Sequence, residues 1–257
     1  MPSTDGVIIK KVLPIIYVID TSGSMSGERI ATVNAAMREC EQVLRDKASD
    51  SPDNELKIGA LTFSSGAEWL TKTGLVSLED FYWNDAKAGG VTDLGAALNE
   101  LNDKLSRSAF LKSETGCCVP VIIFMSDGCP TDSWEKSLAK ISAENRWFAS
   151  ARKIAIAIGE DADTDILKKL VGNVEAVVRS NDLETLQKLI VAVSASASML
   201  AGKSRLANDE ASGGEILDNA LTEVEGDVEI EKDTAPVDEP APAPVDTGDG
   251  WSDDDWS

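Results

Sequence analysis

The chain has 257 residues and a formal net charge of −21, because 45 Asp and Glu face only 24 Lys and Arg. Such an acidic balance predicts no surface that replaces the counterions of a nucleic acid and none that binds an anionic membrane. The sequence contains no histidine, which excludes Ser-His-Asp and Cys-His nucleophile systems and zinc sites built on imidazole. Its four cysteines form no CxxC pair, and they therefore indicate reduced thiols in a cytoplasmic protein.

Secondary structure is predicted from apolar runs and from the spacing of apolar residues. In chain order, the sequence predicts a strand at 12–19, a helix over 30–44, a strand at 56–63, a short edge strand within 66–76, a helix from 93 onward, a strand at 119–125, a helix over 134–148, a strand at 153–158, a short helix over 163–170, a strand at 174–178 and a helix over 182–200. The run at 12–19 is too short for an export signal and is interpreted as a buried strand. Alternating strands and helices predict an α/β fold, a doubly wound and mainly parallel sheet with helices on both faces.

The acidic residues are concentrated at the C-terminal end. Residues 203–257 hold 17 acidic and 3 basic side chains and a proline-containing stretch at 236–244. We therefore predict two parts, a folded domain at 1–202 and an acidic, disordered tail at 203–257 that is dispensable for folding. Within the tail, the sequence GEILDNAL at 214–221 is compatible with one or two helical turns.

Oxygen-bearing side chains gather where the predicted strands end. Five of them are candidate metal ligands, namely Asp20, Ser22, Ser24, Thr92 and Asp127. The carboxyl ends of parallel strands form the crevice in which open α/β sheets bind ligands. Carboxylate and hydroxyl oxygens suit Mg²⁺ or Mn²⁺. The competing interpretation is a simple helix cap at Asp20 and the two serines, but a cap requires neither Thr92 nor Asp127.

Two other features near these residues receive structural interpretations. Thr131 and Asp132 are predicted to cap the helix that begins near Trp134. Trp83, which is close in sequence to the predicted metal loop, is interpreted as a packing residue.

The pattern Asp-x-Ser-x-Ser, then a separate Thr, then a separate Asp-Gly resembles the metal-ion-dependent adhesion site of von Willebrand factor A domains. All five residues match that pattern, and the resemblance extends over about residues 12–200. The stretches VIDTSGSMSGERI and VIIFMSDGCPTD are similar to the bacterial TerY-like branch, which is associated with tellurium resistance and stress operons. In that branch the domains accompany protein kinases and phosphatases.

This resemblance implies a non-enzymatic, metal-dependent protein–protein interaction module, an adaptor in a stress-response or defence system. A protein partner, such as a kinase or phosphatase of the same operon, would supply an Asp or Glu to the ion. The alternative is a Mg²⁺-dependent phosphatase of the haloacid-dehalogenase kind with Asp20 as nucleophile. That enzyme needs a second acid where this chain has Ser22, and Lys112 is its one candidate lysine before the strand at 119–125.

The end of the chain suggests a further hypothesis. The acidic cluster at 253–255 lies between two tryptophans, and a flexible tether would let it occupy the open position of the ion. The competing interpretation is a solubilising segment or a docking site for a basic partner.

Overall fold

The fold is built on one central sheet of eight strands. The structure is a computed structural model, and it describes residues 10–48, 54–72, 74–180, 182–203, 213–224 and 231–232. The strands are β1 (Lys11–Asp20), β2 (Asn54–Ser64), β3 (Gly66–Trp69), β4 (Val76–Ser77), β5 (Val121–Ser126), β6 (Arg152–Ile158), β7 (Val177–Ser180) and β8 (Glu231–Lys232). Their order is β3-β2-β1-β5-β6-β7-β8, and β4 pairs with β2. The five central strands are parallel, whereas β3, β4 and β8 pair antiparallel to their neighbours.

Helices cover both faces of the sheet, as the sequence predicts. They are α1 (Glu28–Ala48), α2 (Leu94–Lys104), α3 (Trp134–Glu144), α4 (Arg146–Ser150), α5 (Thr164–Val171), α6 (Leu183–Lys203) and α7 (Gly213–Val224). α1, α6 and α7 pack on one face, and α2 to α5 pack on the other. Among the helices of the described residues, none has both the length and the apolar character needed to cross a membrane.

Strand β1 shows why its sequence is apolar on both sides. Ile15 and Tyr17 are buried against the face that carries α1, whereas Ile16 and Val18 are buried against the opposite face. Successive side chains of a strand point to opposite faces, so a strand covered on both sides needs a continuous apolar run.

Two predicted elements differ in detail from the structure. The helix expected over 134–148 is divided into α3 and α4 by Asn145, whose side-chain oxygen accepts hydrogen bonds from the backbone of Trp147 and Phe148. An N-cap of this kind starts a new helix. The strand expected at 174–178 begins as a 3₁₀ turn at Val174–Ala176, and the extended part is β7.

The expectation of a disordered tail is wrong for residues 213–224. These residues form α7, and the apolar side chains of its inner face are buried in the core together with α6: Ile216, Leu217, Ala220, Leu221 and Val224. Composition misleads here because the acidic residues of α7 are on its exposed side. The domain boundary at residue 203 stays a prediction, and residues 233–257, with the hypothesis about 253–255, lie outside the described residues.

Candidate functional site

Two carboxylates lie at the carboxyl edge of the sheet because β1 and β5 are parallel neighbours. Ile19 of β1 is paired with Met125 of β5, so that Asp20 and Asp127 come at corresponding ends of the two strands. Asp20 is 0% exposed and Asp127 is 2% exposed. A buried carboxylate is unfavourable unless hydrogen bonds or a cation compensate for its lost hydration.

Hydrogen bonds fix the carboxylate of Asp20. Its Oδ1 accepts from the backbone N–H of Ser22 at 2.8 Å, and its Oδ2 accepts from the hydroxyl of Ser126 at 2.7 Å. Ser126 Oγ in turn accepts from the backbone N–H of Gly128 at 2.9 Å. Burial raises the pKa of Asp20, these hydrogen bonds oppose the rise, and the nearby charge of Asp127 adds to it.

The turn after β1 brings two serine hydroxyls together. Ser22 and Ser24 enclose the start of a 3₁₀ turn at Gly23–Met25, and their Oγ atoms are 3.0 Å apart. Ser22 is buried, whereas Ser24 is exposed. The pair therefore extends from the buried Asp20 towards solvent.

The segment that precedes α2 is attached to this turn by backbone hydrogen bonds. Gly89 N donates to Thr21 O at 2.8 Å, and Gly23 N donates to Gly90 O at 3.0 Å. Gly90 has φ +87°, and a Cβ there would lie 2.5 Å from Ser65 Oγ. Glycine is required at this position because L side chains rarely adopt that φ and because the space is already filled.

Thr92 is held at the site by Thr131. Thr92 N donates to Thr131 Oγ1 at 3.1 Å, and Thr131 N donates to Thr92 O at 2.8 Å. The prediction that Thr131 and Asp132 cap the next helix is therefore wrong, because the Thr131 side chain bonds to Thr92 and Ser133 occupies the N-cap position of α3. Thr92 is 5% exposed, and within the described ranges its hydroxyl has no hydrogen-bond partner.

Asp127 is surrounded by donors and a cation. Its Oδ1 accepts from Cys129 N at 3.3 Å, and its Oδ2 lies 3.7 Å from Nη1 of Arg29. Its backbone O accepts from Asp163 N at 2.8 Å. Gly128 has φ +71°, and a Cβ there would lie 2.4 Å from Asp163 O, so this close approach also requires glycine.

The sequence reasoning missed two residues of this arrangement, Ser126 and Arg29. A sequence feature could have identified Ser126, because it is a hydroxyl residue at the end of an apolar strand and directly before Asp127. The sequence feature that points to Arg29 is weaker: this residue lies in the first turn of α1, where the helix dipole disfavours a positive charge. An arginine there suggests a carboxylate partner elsewhere in the fold.

Trp83 is a packing residue, as predicted. Its indole N–H donates to Asn34 Oδ1 of α1 at 3.0 Å, and the residue is buried.

The chemistry of the gathered residues fits a hard divalent cation. The site combines two buried carboxylates with hydroxyls, and in the described part of the chain the Thr92 hydroxyl makes no hydrogen bond that would occupy its oxygen. Two carboxylates match the charge of one divalent ion, and hard cations prefer oxygen ligands. In the described ranges, no group of three or more His, Cys, Asp and Glu forms an alternative metal site.

Comparisons with known proteins support the fold. No family model matches the sequence, and no curated protein matches it. Three similar solved structures are a von Willebrand factor type A protein from Catenulispora acidiphila (TM-score 0.52, 16% identity, 74% of this chain and 43% of that chain), proximal thread matrix protein 1 from the mussel byssus with a zinc-occupied MIDAS motif (0.51, 18%, 75% and 47%), and the pilus adhesin SpaC from Lactobacillus rhamnosus GG in an open conformation (0.55, 14%, 73% and 30%).

The chain thus has the mixed α/β fold of von Willebrand factor A domains, with a mostly parallel sheet between helices. It spans less than half the length of each of these three structures. At identities below 20%, the likeness is one of fold.

Proposed function

We propose that this chain is a metal-dependent protein–protein interaction module that recognises a carboxylate of its partner through a divalent cation. The ion is Mg²⁺ or Mn²⁺, and its protein ligands are Asp20, Ser22, Ser24, Thr92 and Asp127. One observation supports the proposal. Two buried carboxylates lie at the same edge of the sheet as the Thr92 hydroxyl, which has no hydrogen-bond partner within the described residues.

The ligand set explains why such a site would bind a further anion. A bound divalent cation supplies positive charge and an open coordination position. Asp20 and Asp127 balance the formal charge of the ion, whereas the neutral hydroxyls of Ser22, Ser24 and Thr92 are weak donors that leave it electrophilic. An Asp or Glu of a protein partner can then bind the ion at the open coordination position.

The phosphatase alternative is not favoured. Ser22 stands where the second acid of that mechanism is needed, and a serine hydroxyl is a poor proton donor to a leaving group. Lys112 lies in the segment that continues to Gly116, and Gly116 O accepts from the N–H of Val12 near the start of β1. That position is at the opposite end of β1 from Asp20.

The more specific part of the proposal is an adaptor role in a bacterial stress response. It rests on the similarity of residues 18–30 and 121–132 to the TerY-like branch, in which such domains accompany protein kinases and phosphatases. We accordingly propose a cytoplasmic protein whose partner is a kinase or phosphatase of the same operon.

Titration calorimetry with Mn²⁺ tests the metal site. Asp127→Asn should abolish measurable binding, since a hard dication held by two carboxylates cannot lose one of them. Asp80→Asn is the control, because Asp80 is an exposed carboxylate whose partner is the hydroxyl of Ser77 rather than a residue of the site. Unchanged binding in Asp127→Asn would refute the ligand assignment.

The hydroxyl ligands have a matched control within the chain. Ser106 and Ser108 also have Oγ atoms 3.0 Å apart at a spacing of two residues, but they are exposed. The double variant Ser22→Ala, Ser24→Ala should weaken Mn²⁺ binding, whereas Ser106→Ala, Ser108→Ala should leave it unchanged. Equal affinities in the two double variants would remove the serines from the site.

Capture of partners from the native host, with and without EDTA, tests the interaction. A partner should be retained with Mg²⁺ by the wild type and lost with EDTA or in Asp127→Asn. Metal-dependent hydrolysis of an aryl phosphate by the purified protein, lost in Asp20→Asn, would instead favour the phosphatase.

A further inference from the structure

Arg29 contacts three segments that meet at the carboxyl edge of the sheet. Its Nη1 lies 3.7 Å from Asp127 Oδ2 and 3.4 Å from the backbone O of Ser24, and its Nη2 pairs with Oδ1 of Asp161. Asp127 follows β5, Ser24 belongs to the turn after β1, and Asp161 follows β6. The guanidinium is therefore directly beside the two segments that carry candidate metal ligands.

The loop after β6 packs against the Arg29 side chain at Gly159. Gly159 has φ +98°, and a Cβ at that position would lie 2.6 Å from the central carbon of the Arg29 guanidinium. The backbone of the loop after β6 thus lies directly against the guanidinium, and its φ at Gly159 is one that L side chains rarely adopt. Arg29 is 24% exposed, so its position is determined by packing as well as by charge.

We propose that Arg29 is a built-in competitor of the metal ion: it balances the charge of Asp127 in the metal-free protein and so lowers the affinity with which the site takes up a divalent cation. This inference rests on the proposed metal site. Asp20 and Asp127 are both buried, and Arg29 is the basic side chain that pairs with Asp127 within the described residues. A metal ion bound by Asp127 would lie close to the Arg29 guanidinium, which is 3.7 Å from the same carboxylate. The two positive charges would repel each other at this separation.

Asp161 gives the guanidinium a second partner when a metal ion takes Asp127. Asp161 is 72% exposed, and its contact with Arg29 is the shorter of the two ion pairs. Arg29 therefore keeps a carboxylate partner after it loses Asp127, so that exchange needs only a small movement of the side chain. Competition of this kind leaves the fold unchanged.

The test compares Arg29→Gln with Arg38→Gln in the full-length chain. Arg38 is also on α1 and pairs with a carboxylate, Asp85, but that exposed pair is separate from the metal site. Arg29→Gln should bind Mn²⁺ about tenfold more tightly than the wild type in calorimetry, and Arg38→Gln should bind it with wild-type affinity. Equal or weaker binding by Arg29→Gln would overturn the inference.

Melting temperatures supply a second readout, which also measures the stability of the metal-free protein and is linked to the Mn²⁺ affinity through the free energy of binding. Without metal, Arg29→Gln should have a lower melting temperature than the wild type, because the buried Asp127 carboxylate then lacks the Arg29 guanidinium that balances its charge. Saturating Mn²⁺ should narrow this difference, because the ion then supplies the missing charge. A difference that is the same with and without Mn²⁺ would show a purely structural role for Arg29.

Substitution of the exposed partner keeps the inference testable if Arg29→Gln does not fold. Asp161→Asn should weaken Mn²⁺ binding, because Arg29 then has Asp127 as its remaining partner, whereas Asp85→Asn should not. In the background of Arg29→Gln, where it folds, the effect of Asp161→Asn should be smaller. No loss of affinity in Asp161→Asn, or an equal loss in both backgrounds, would overturn the inference.

Failure of this inference is distinguishable from failure of the proposed function. If the wild type binds Mn²⁺ and Arg29→Gln binds it no more tightly, the competition is refuted and the metal site stands. If neither protein binds Mn²⁺, both are refuted.

Discussion

The carboxyl edge of the sheet buries carboxylates, at Asp20 and Asp127, whereas the face under α7 buries aliphatic side chains such as Leu217. Burial of an aliphatic side chain stabilises the fold by about 1.5–3 kcal/mol. Burial of a carboxylate opposes folding unless a partner compensates. The difference is consistent with a division of roles, in which α7 contributes stability and the carboxyl edge carries the proposed metal site. Each region should therefore respond to substitution in its own way.

The largest effect should come from removing α7. A chain that ends at Lys203 loses the helix that covers part of α6, and it exposes apolar core that the whole chain buries. We expect it to lose cooperative thermal unfolding, whereas a chain that ends at Lys232 should melt like the full-length protein. If both truncated chains melt alike, the acidic segment is dispensable from residue 204 onward, as its composition predicts.

A single core residue sharpens the same point. Leu217→Ala should lower the free energy of unfolding by about 2–5 kcal/mol, because it leaves a cavity at a fully buried position. Leu70→Ala is the control, since Leu70 is 37% exposed. Chemical denaturation measures the free energy of unfolding of both variants. At a temperature where Leu217→Ala is folded, its affinity for Mn²⁺ should equal that of the wild type. A loss of affinity in this variant would mean that the two regions are coupled.

Ser126→Ala should affect both regions to a smaller degree. Its hydroxyl joins Asp20 to the N–H of Gly128, so its removal leaves two buried groups without a partner, at a cost of about 1–3 kcal/mol. Mn²⁺ affinity should fall by about tenfold, because a residue that orients a ligand acts through that ligand. Affinity lost without any change in stability would make Ser126 a ligand rather than a positioning residue.

The smallest effect concerns pH and the metal-free protein. Burial raises the pKa of Asp20 in the folded state, above the unfolded value of about 3.9. As the pH rises from about 4 through the raised pKa, the unfolded state ionises first, and this residue's contribution to stability is lost. The free energy of unfolding of the wild type should therefore fall relative to that of Asp20→Asn over this range.

Denaturation curves of the two proteins at several pH values, without metal, measure this difference. Saturating Mn²⁺ should stabilise the wild type at the upper end of the range, and it should leave Asp20→Asn unaffected. A stability difference between the two proteins that does not change with pH would contradict the raised pKa.

The local sequence was sufficient to predict the sheet, most helix positions and the place where Asp20 and Asp127 meet. The continuous apolar run of β1 specifies a strand that is buried on both faces, and the acidic residue that ends it must lie at the sheet edge. These are short-range properties, since the period of the side chains and the end of a strand are both written in a few consecutive residues.

Only the tertiary structure decided that α7 belongs to the core, that Thr131 holds Thr92 and that Arg29 pairs with Asp127. Each depends on residues far apart in the chain, such as Arg29 with Asp127 and Asp161. The acidic composition of residues 213–224 also gives no indication that five of their side chains are buried. Composition does not distinguish the buried apolar face of a helix from its exposed polar face. Sequence patterns describe which face an element has to bury, but the packing of distant elements determines what that face meets.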